Sequence, residues 1–158
     1  MGRSGRLSEP ANQPVVGVPF REAEAFCHLA GGRLPKEQEG EGAARGPPGY
    51  QYPWGGEWED GRSNSDETGL GVSSPVGLFP RSAQASLGLE DLAGNCWEWC
   101  DDSYYEDKRD GGSPRVVRGG AFVDPAGGLR SSYRGGGEPG GRDQDSGFRC
   151  VLAARRQP

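Results

Sequence analysis

An α+β fold, with two short helices, small mixed and antiparallel sheets and a large coil fraction, is predicted by three observations. The 158 residues include 29 glycines and 13 prolines, and only 32% are hydrophobic, so regular elements can account for only part of the chain. Four tryptophans, five tyrosines and five phenylalanines still supply concentrated apolar area, which separates this chain from a disordered one of similar mean hydropathy (-0.78). Helical spacing near the start gives way to short strand-like runs later on. Together these features predict one loop-rich domain over residues 14–154, preceded by a frayed segment at 1–13 and followed by a tail at 155–158.

The elements follow in chain order. VVGV at 15–18 is a short strand candidate, and Pro19 is placed to open a helix. Phe20, Ala23, Phe26, Cys27 and Ala30 keep helical spacing, with Glu22 and Glu24 turned outward and Gly31-Gly32 as the stop. A second helix can begin at Pro35 and end at Gly46-Pro47; Gly40 and Gly42 weaken it by about 1 kcal/mol each relative to alanine. Residues 50–80 read as coil, with turn signals every few positions. Coil of that length needs anchors: Trp54 and Trp58 can provide them sterically, and Asn64, Asp66 and Glu67 through a hard cation. GLEDLAGNCWEWC at 88–100 reads as a cation-organised loop feeding a buried strand. RVVRGGAF at 115–122 is a strand with a glycine bulge, and GFRCVLA at 147–153 is a closing strand with Phe148, Cys150 and Leu152 on one face. The stretch between them, 123–146, lacks periodicity and is predicted to be a surface loop.

Charge and composition exclude several functions. A net charge of -5 and a pI near 5.0 argue against nucleic acid as a partner, because such binding relies on a basic footprint. No apolar run approaches the roughly 20 residues of a membrane span, and the start, MGRSGRLSEPANQP, lacks the apolar region of a secretory signal. The expectation is a soluble chain with no visible address, cytoplasmic by default. No CxxC pair occurs and His28 is the only histidine, a pattern unsuited to structural zinc. Cys96 and Cys100 would stand roughly 13 Å apart on an extended strand, beyond disulfide reach. A Ser-His or Cys-His nucleophile fails for want of histidine, and Asp101-Asp102 reads as a solvated acidic turn rather than an acid/base pair.

The ordered series VVGVPFREAEAFC, GRLPKEQ, AARGP, YPWG, SPVGLFP, GLEDLAGNCWEWC, RVVRGGAF, LRSSYR and GFRC resembles the formylglycine-generating enzyme (sulfatase-modifying factor) family. The resemblance covers roughly residues 15–153 and implies a variant of the C-type lectin fold, with the N-terminal part of the usual domain missing. It also implies structural calcium. The positions matching one site are Asp91 and Glu98 through carboxylates, with Gly94 and Cys96 through carbonyls. Those matching a second are Asn64 with the carbonyls of Ser65 and Leu70; Thr68 stands where an aspartate is usual, so that site needs Asp66 or Glu67 as a substitute. Hard oxygen donors of this kind suit Ca²⁺. Cys27 and Cys150 match a disulfide found in some members; two buried thiols are the alternative reading.

The family's enzymes oxidise a substrate cysteine with copper held by two thiolates in the segment after the RGGS-like strand. Here that segment reads GGAFVDPAGGLRSSYR and has no cysteine, and Ala121 replaces the serine, so no copper is expected. The tail fits a second resemblance, to the variable proteins of diversity-generating retroelements. Their pattern is similar to RGGAF, LRSSYR and then Arg134-x4-Pro139-x2-Arg142-x4-Gly147-Phe148-Arg149. Glycine and aspartate at 135, 137, 141, 143 and 145 are the replacements expected when adenines of asparagine codons change; a GC-rich genome gives the same excess. This resemblance implies a non-catalytic domain displaying residues 123–146 to a protein or other surface ligand. Its contact set would be Gly127, Gly128, Tyr133, Gly135, Gly136, Gly137, Glu138, Gly140, Gly141, Asp143, Gln144 and Asp145, with Tyr133 the one aromatic anchor. The alternative is a formylglycine-generating oxidoreductase acting on a protein cysteine.

Overall fold

The computed structural model describes residues 12–80, 87–105 and 112–152. The proposed frayed start and C-terminal tail fall largely or wholly outside these residues. Helix α1 spans Phe20–Leu29, with Pro19 in extended backbone as its N-cap. It buries Phe20, Ala23 and Cys27, as the helical spacing predicts. Phe26, expected on the same face, is instead 58% exposed and lies edge-on to Phe148. Helix α2 spans Glu37–Arg45 and ends at Gly46. The Glu39 carboxylate accepts the Lys36 backbone N–H at 2.7 Å, and Asp102 accepts that of Glu37 at 2.6 Å, so two free donors of the first turn are satisfied. Asp102 is thus a capping group, and Asp101 pairs with Lys36 Nζ at 2.7 Å.

Strands β1 (Gly32–Arg33) and β6 (Val151–Leu152) form a two-stranded antiparallel sheet. The second sheet has four strands in the order β4-β3-β2-β5, built from β2 (Trp97–Ser103), β3 (Arg115–Arg118), β4 (Arg134–Gly137) and β5 (Ser146–Gly147). β5 runs parallel to β2, and the other pairs are antiparallel. Three expectations are corrected. Residues 15–18 form no strand, because Gly17 turns the chain with φ +71°. The closing strand is two short pieces, β5 and β6, interrupted at 148–150. Within the expected surface loop, residues 134–137 form β4, paired with β3 from Arg115↔Gly137 to Arg118↔Arg134.

The composition of β4, RGGG, hides it from any strand propensity scale, and its neighbours explain it. A Cβ on Gly137 would lie 2.5 Å from the Trp99 ring, and one on Gly135 would lie 2.9 Å from Val117 and 3.4 Å from Trp97. The indoles of β2 reach across β3 and occupy the volume that side chains on β4 would need. Gly137→Ala is therefore expected to destabilise the domain by about 1–3 kcal/mol, the usual range for overpacking, read as a lower urea midpoint at unchanged m.

Trp99 is 1% exposed and forms the main core with Phe20, Ala23, Cys27, Leu34 and Val117, its Nε1 donating to the Val18 carbonyl at 2.8 Å. A second cluster joins Tyr52, Ala93 and Leu129 to Trp54 and Trp58. The three aromatic rings have centroids 5.2–5.5 Å apart, so the coil at 50–80 has the steric anchor expected of it. Among the described residues no helix is long and apolar enough to cross a membrane.

Candidate functional site

An open cleft of ≈580 Å³ lies between β4 and the segment that leads into β5. Trp97 and Val117 form its floor, Gly135, Gly136 and Gly137 one wall, and Asp143, Gln144 and Asp145 the other, with Phe122 and Val123 at the rim. The acidic wall is fixed by its backbone: the Asp145 carbonyl accepts Trp97 N–H at 2.8 Å, and the Asp143 carbonyl accepts Gly17 N–H at 3.1 Å and Ser146 N–H at 3.0 Å. Burial holds the Asp145 carboxyl above the usual carboxylate range, and the like charges of Asp143 and Asp124 push the same way.

Six of the twelve display positions therefore share one cleft. Tyr133 adjoins it, with its ring 6.0 Å from that of Trp97. Gly127 and Gly128 belong to a 3₁₀ turn at Ala126–Leu129, and Glu138, Gly140 and Gly141 lie in the turn after β4; none of these five lines the cleft. Sequence reasoning passed over Trp97 and Phe122 as contact residues. The alternation of WEW could have flagged Trp97, since a strand that buries Trp99 puts Trp97 on the same face.

Three of the arginines named by the tail pattern hold the fold. Arg134 pairs with Glu37 at 2.7 Å, Arg142 with Glu22, and Arg149 with Glu98 through Nε and through Nη2, the latter at 2.5 Å. Arg118, only 6% exposed, donates to the carbonyls of Ser131 (2.9 Å), Ser132 (3.0 Å) and Tyr133 (2.8 Å) and to Glu41 (2.7 Å). It ties α2 and β3 to the backbone that enters β4.

Asp91, Cys96 and Glu98 line a common hollow of ≈360 Å³; Gly94 instead packs against the Asn64 backbone. The Glu98 carboxylate is held by Arg149, and Asp91 Oδ2 accepts Gly77 N–H at 3.0 Å. At the second expected site, Asn64 Nδ2 donates to the Val72 carbonyl (2.9 Å) and Asn95 Oδ1 (3.2 Å). Both partners are acceptors, which fixes the amide orientation and leaves Asn64 Oδ1 buried without a donor. Glu67 is turned away to the Ala126 N–H at 2.7 Å, and Thr68 bonds the Ser63 carbonyl at 2.7 Å. Among the described residues, no three His, Cys, Asp or Glu side chains converge to hold a metal.

All four cysteines are free thiols. Burial pushes Cys27 up to about 12, with a further rise from the neighbouring Cys150 thiol, so the two cysteines proposed as a disulfide are adjacent. Burial also pushes Cys100 up to about 12 and raises Cys96. Thiols held protonated in this way are poor nucleophiles at neutral pH. Ala121 is fully buried, and its N–H donates to Asp124 at 2.8 Å.

The sulfatase-modifying factor enzyme 1-like domain model matches residues 2–154. The chain is 37% identical over 173 residues to the inactive C-alpha-formylglycine-generating enzyme 2 of Bos taurus, covering 99% of this chain and 56% of that protein. It is 34% identical to the formylglycine-generating enzyme of Streptomyces coelicolor, covering 95% and 56% respectively. Among solved structures, Treponema denticola variable protein 1 superposes with a TM-score of 0.78 at 21% identity, covering 93% of this chain and 73% of that one. The chain thus spans little more than half the length of these two curated relatives, and its architecture is that of the C-type-lectin-like variable proteins. With a family model matched along nearly its whole length, the chain belongs to the sulfatase-modifying factor enzyme 1-like domain family.

Proposed function

We propose that this chain is a non-catalytic ligand-binding domain that displays part of residues 123–146 on a calcium-stabilised scaffold. The observation that carries this reading is the convergence of Gly135, Gly136, Gly137, Asp143, Gln144 and Asp145 on one open cleft with an indole floor. The fold it shares with a variable protein supports it, as does the likeness to a relative whose name marks it as inactive. Copper-dependent cysteine oxidation requires a pair of accessible thiolates. The segment at 119–134 contains no cysteine, and the thiols at 96 and 100 are buried.

Randomising Asp143 and Gln144, both exposed, and selecting the displayed library against a panel of purified proteins tests the reading. Selected variants are expected to differ in partner while keeping stability within about 0.5 kcal/mol of the parent. Loss of folding across the library would make this segment structural and sink the proposal.

For calcium, Asn64 offers the better-fitting site, because its buried Oδ1 lacks any donor, and Asp91 with Glu98 offers the second. Bound at Asn64, the ion would give the buried Oδ1 a partner and tie the coil at 63–74 to the loop before β2. Millimolar Ca²⁺ is expected to raise Tm and a chelator to reverse the rise, by mass action on the folded state, with Asn64→Ala reducing the response. An identical Tm with Ca²⁺ and with chelator rules the ion out.

A further inference from the structure

The acidic wall of the cleft lacks the counter-charge found elsewhere on this protein. Arg134, Arg142 and Arg149 each pair with a glutamate, but among the described residues neither Asp143 nor Asp145 has a basic partner. Arg142, next in sequence to Asp143, is turned away to Glu22. Asp145 is half-buried, beside Asp143 in the wall, and its carboxylate accepts from its own backbone N–H and from the Ser146 hydroxyl, at 3.4 Å, with no cation beside it among the described residues. Two carboxylates, one of them partly desolvated, therefore line the same open cleft as the Trp97 indole, with no cation among the described residues to neutralise them. An aromatic face attracts a cation through its quadrupole, more strongly once water is excluded.

We infer that the cleft takes an arginine side chain of a protein ligand, with its guanidinium between Asp143 and Asp145 and its flat face on Trp97. This rests on the reading of the cleft as the ligand-binding surface. A guanidinium fits the setting better than a metal ion does: it is planar, weakly hydrated and able to donate to both carboxylates while stacking. A hard divalent ion needs six to eight oxygens, and among the described residues no three acidic, histidine or cysteine side chains converge to hold one. The apolar rim of Phe122 and Val123 suits the methylene stem of the same side chain.

The test is an NMR titration of the ¹⁵N-labelled chain with acetyl-arginine N-methylamide, its neutral isostere acetyl-citrulline N-methylamide, and calcium chloride. The arginine compound is expected to move the Trp97 indole N–H and the backbone amides of Gly135, Gly136, Gly137 and Asp145. The citrulline compound is expected to bind at least about tenfold more weakly, as loss of charge-assisted hydrogen bonds implies. In the Asp143→Asn, Asp145→Asn double variant, with its spectrum otherwise unchanged, arginine binding should fall to the citrulline level. Equal binding of the two compounds, or undiminished binding by the double variant, overturns the cation assignment but leaves the cleft as a binding surface. Calcium reproducing the arginine shifts also overturns it, reassigning the carboxylates to a metal. Silence at the cleft resonances with every probe overturns it as well, and a library selection that then yields no folded binder removes the ligand-binding reading itself.

Discussion

Arg118→Met is expected to destabilise the domain by about 3–5 kcal/mol, the cost of breaking a buried, fully bonded charge by removing one partner. The substitution keeps much of the aliphatic volume and deletes every donor. The carbonyls of Ser131, Ser132 and Tyr133 then lose the guanidinium, and Glu41 loses its ion-pair partner from β3. The effect should be visible in two measurements. Urea unfolding reports the loss of stability. Hydrogen exchange should accelerate first at Arg134 and Gly136, because Arg118 braces the chain as it enters β4. A loss below about 1 kcal/mol would mean that water replaces the guanidinium at these carbonyls.

Gly94→Ala is expected to cost about 3 kcal/mol or more, from two sources that act together. Gly94 has φ +78°, where an L-residue is strained, and its added Cβ would collide with the Asn64 carbonyl and crowd Leu129. The collision is with backbone, so no rotamer change relieves it. That carbonyl also accepts the Asn95 N–H at 2.9 Å, so displacing it uncouples the 63–74 coil from the loop before β2. Gly42→Ala is the control: the glycine sits in α2 with nothing within 4 Å of its added Cβ, and the substitution should stabilise by up to about 1 kcal/mol. Thermal melts of the two variants should therefore move in opposite directions.

The helices, the tryptophan strand and the steric anchor of the long coil were legible because each depends on side-chain pattern. Phe20, Ala23 and Cys27 repeat at helical spacing, and Trp97 and Trp99 alternate along a strand. β4 was illegible because glycine carries no pattern, and it is a strand only where the indoles of another strand cover it. Asn95 was missed for a related reason. Its amide accepts from Ser74 N–H at 2.8 Å, donates to the Ser74 carbonyl at 3.1 Å and receives Asn64, yet nothing in LAGNCW marks one asparagine as a hub between distant coils. The tail pattern located half of the cleft, because spacing along the chain tracks β4 and the acidic wall. The floor belongs to β2 and becomes part of the site only through the sheet order β4-β3-β2-β5.

The glycine wall also limits what variation could achieve at this surface. Positions 135 and 137 point inward beneath Val117 and the indoles, and a side chain at 136 would meet the half-buried Tyr104 ring, over which the Arg134 guanidinium lies at 4.6 Å. A side chain added at any of the three glycines of β4 thus presses on an aromatic ring or on Val117. Change at this surface disturbs the fold least along the acidic wall, where Asp143 and Gln144 are exposed, and β4 opposite is a fixed edge against which that wall is set.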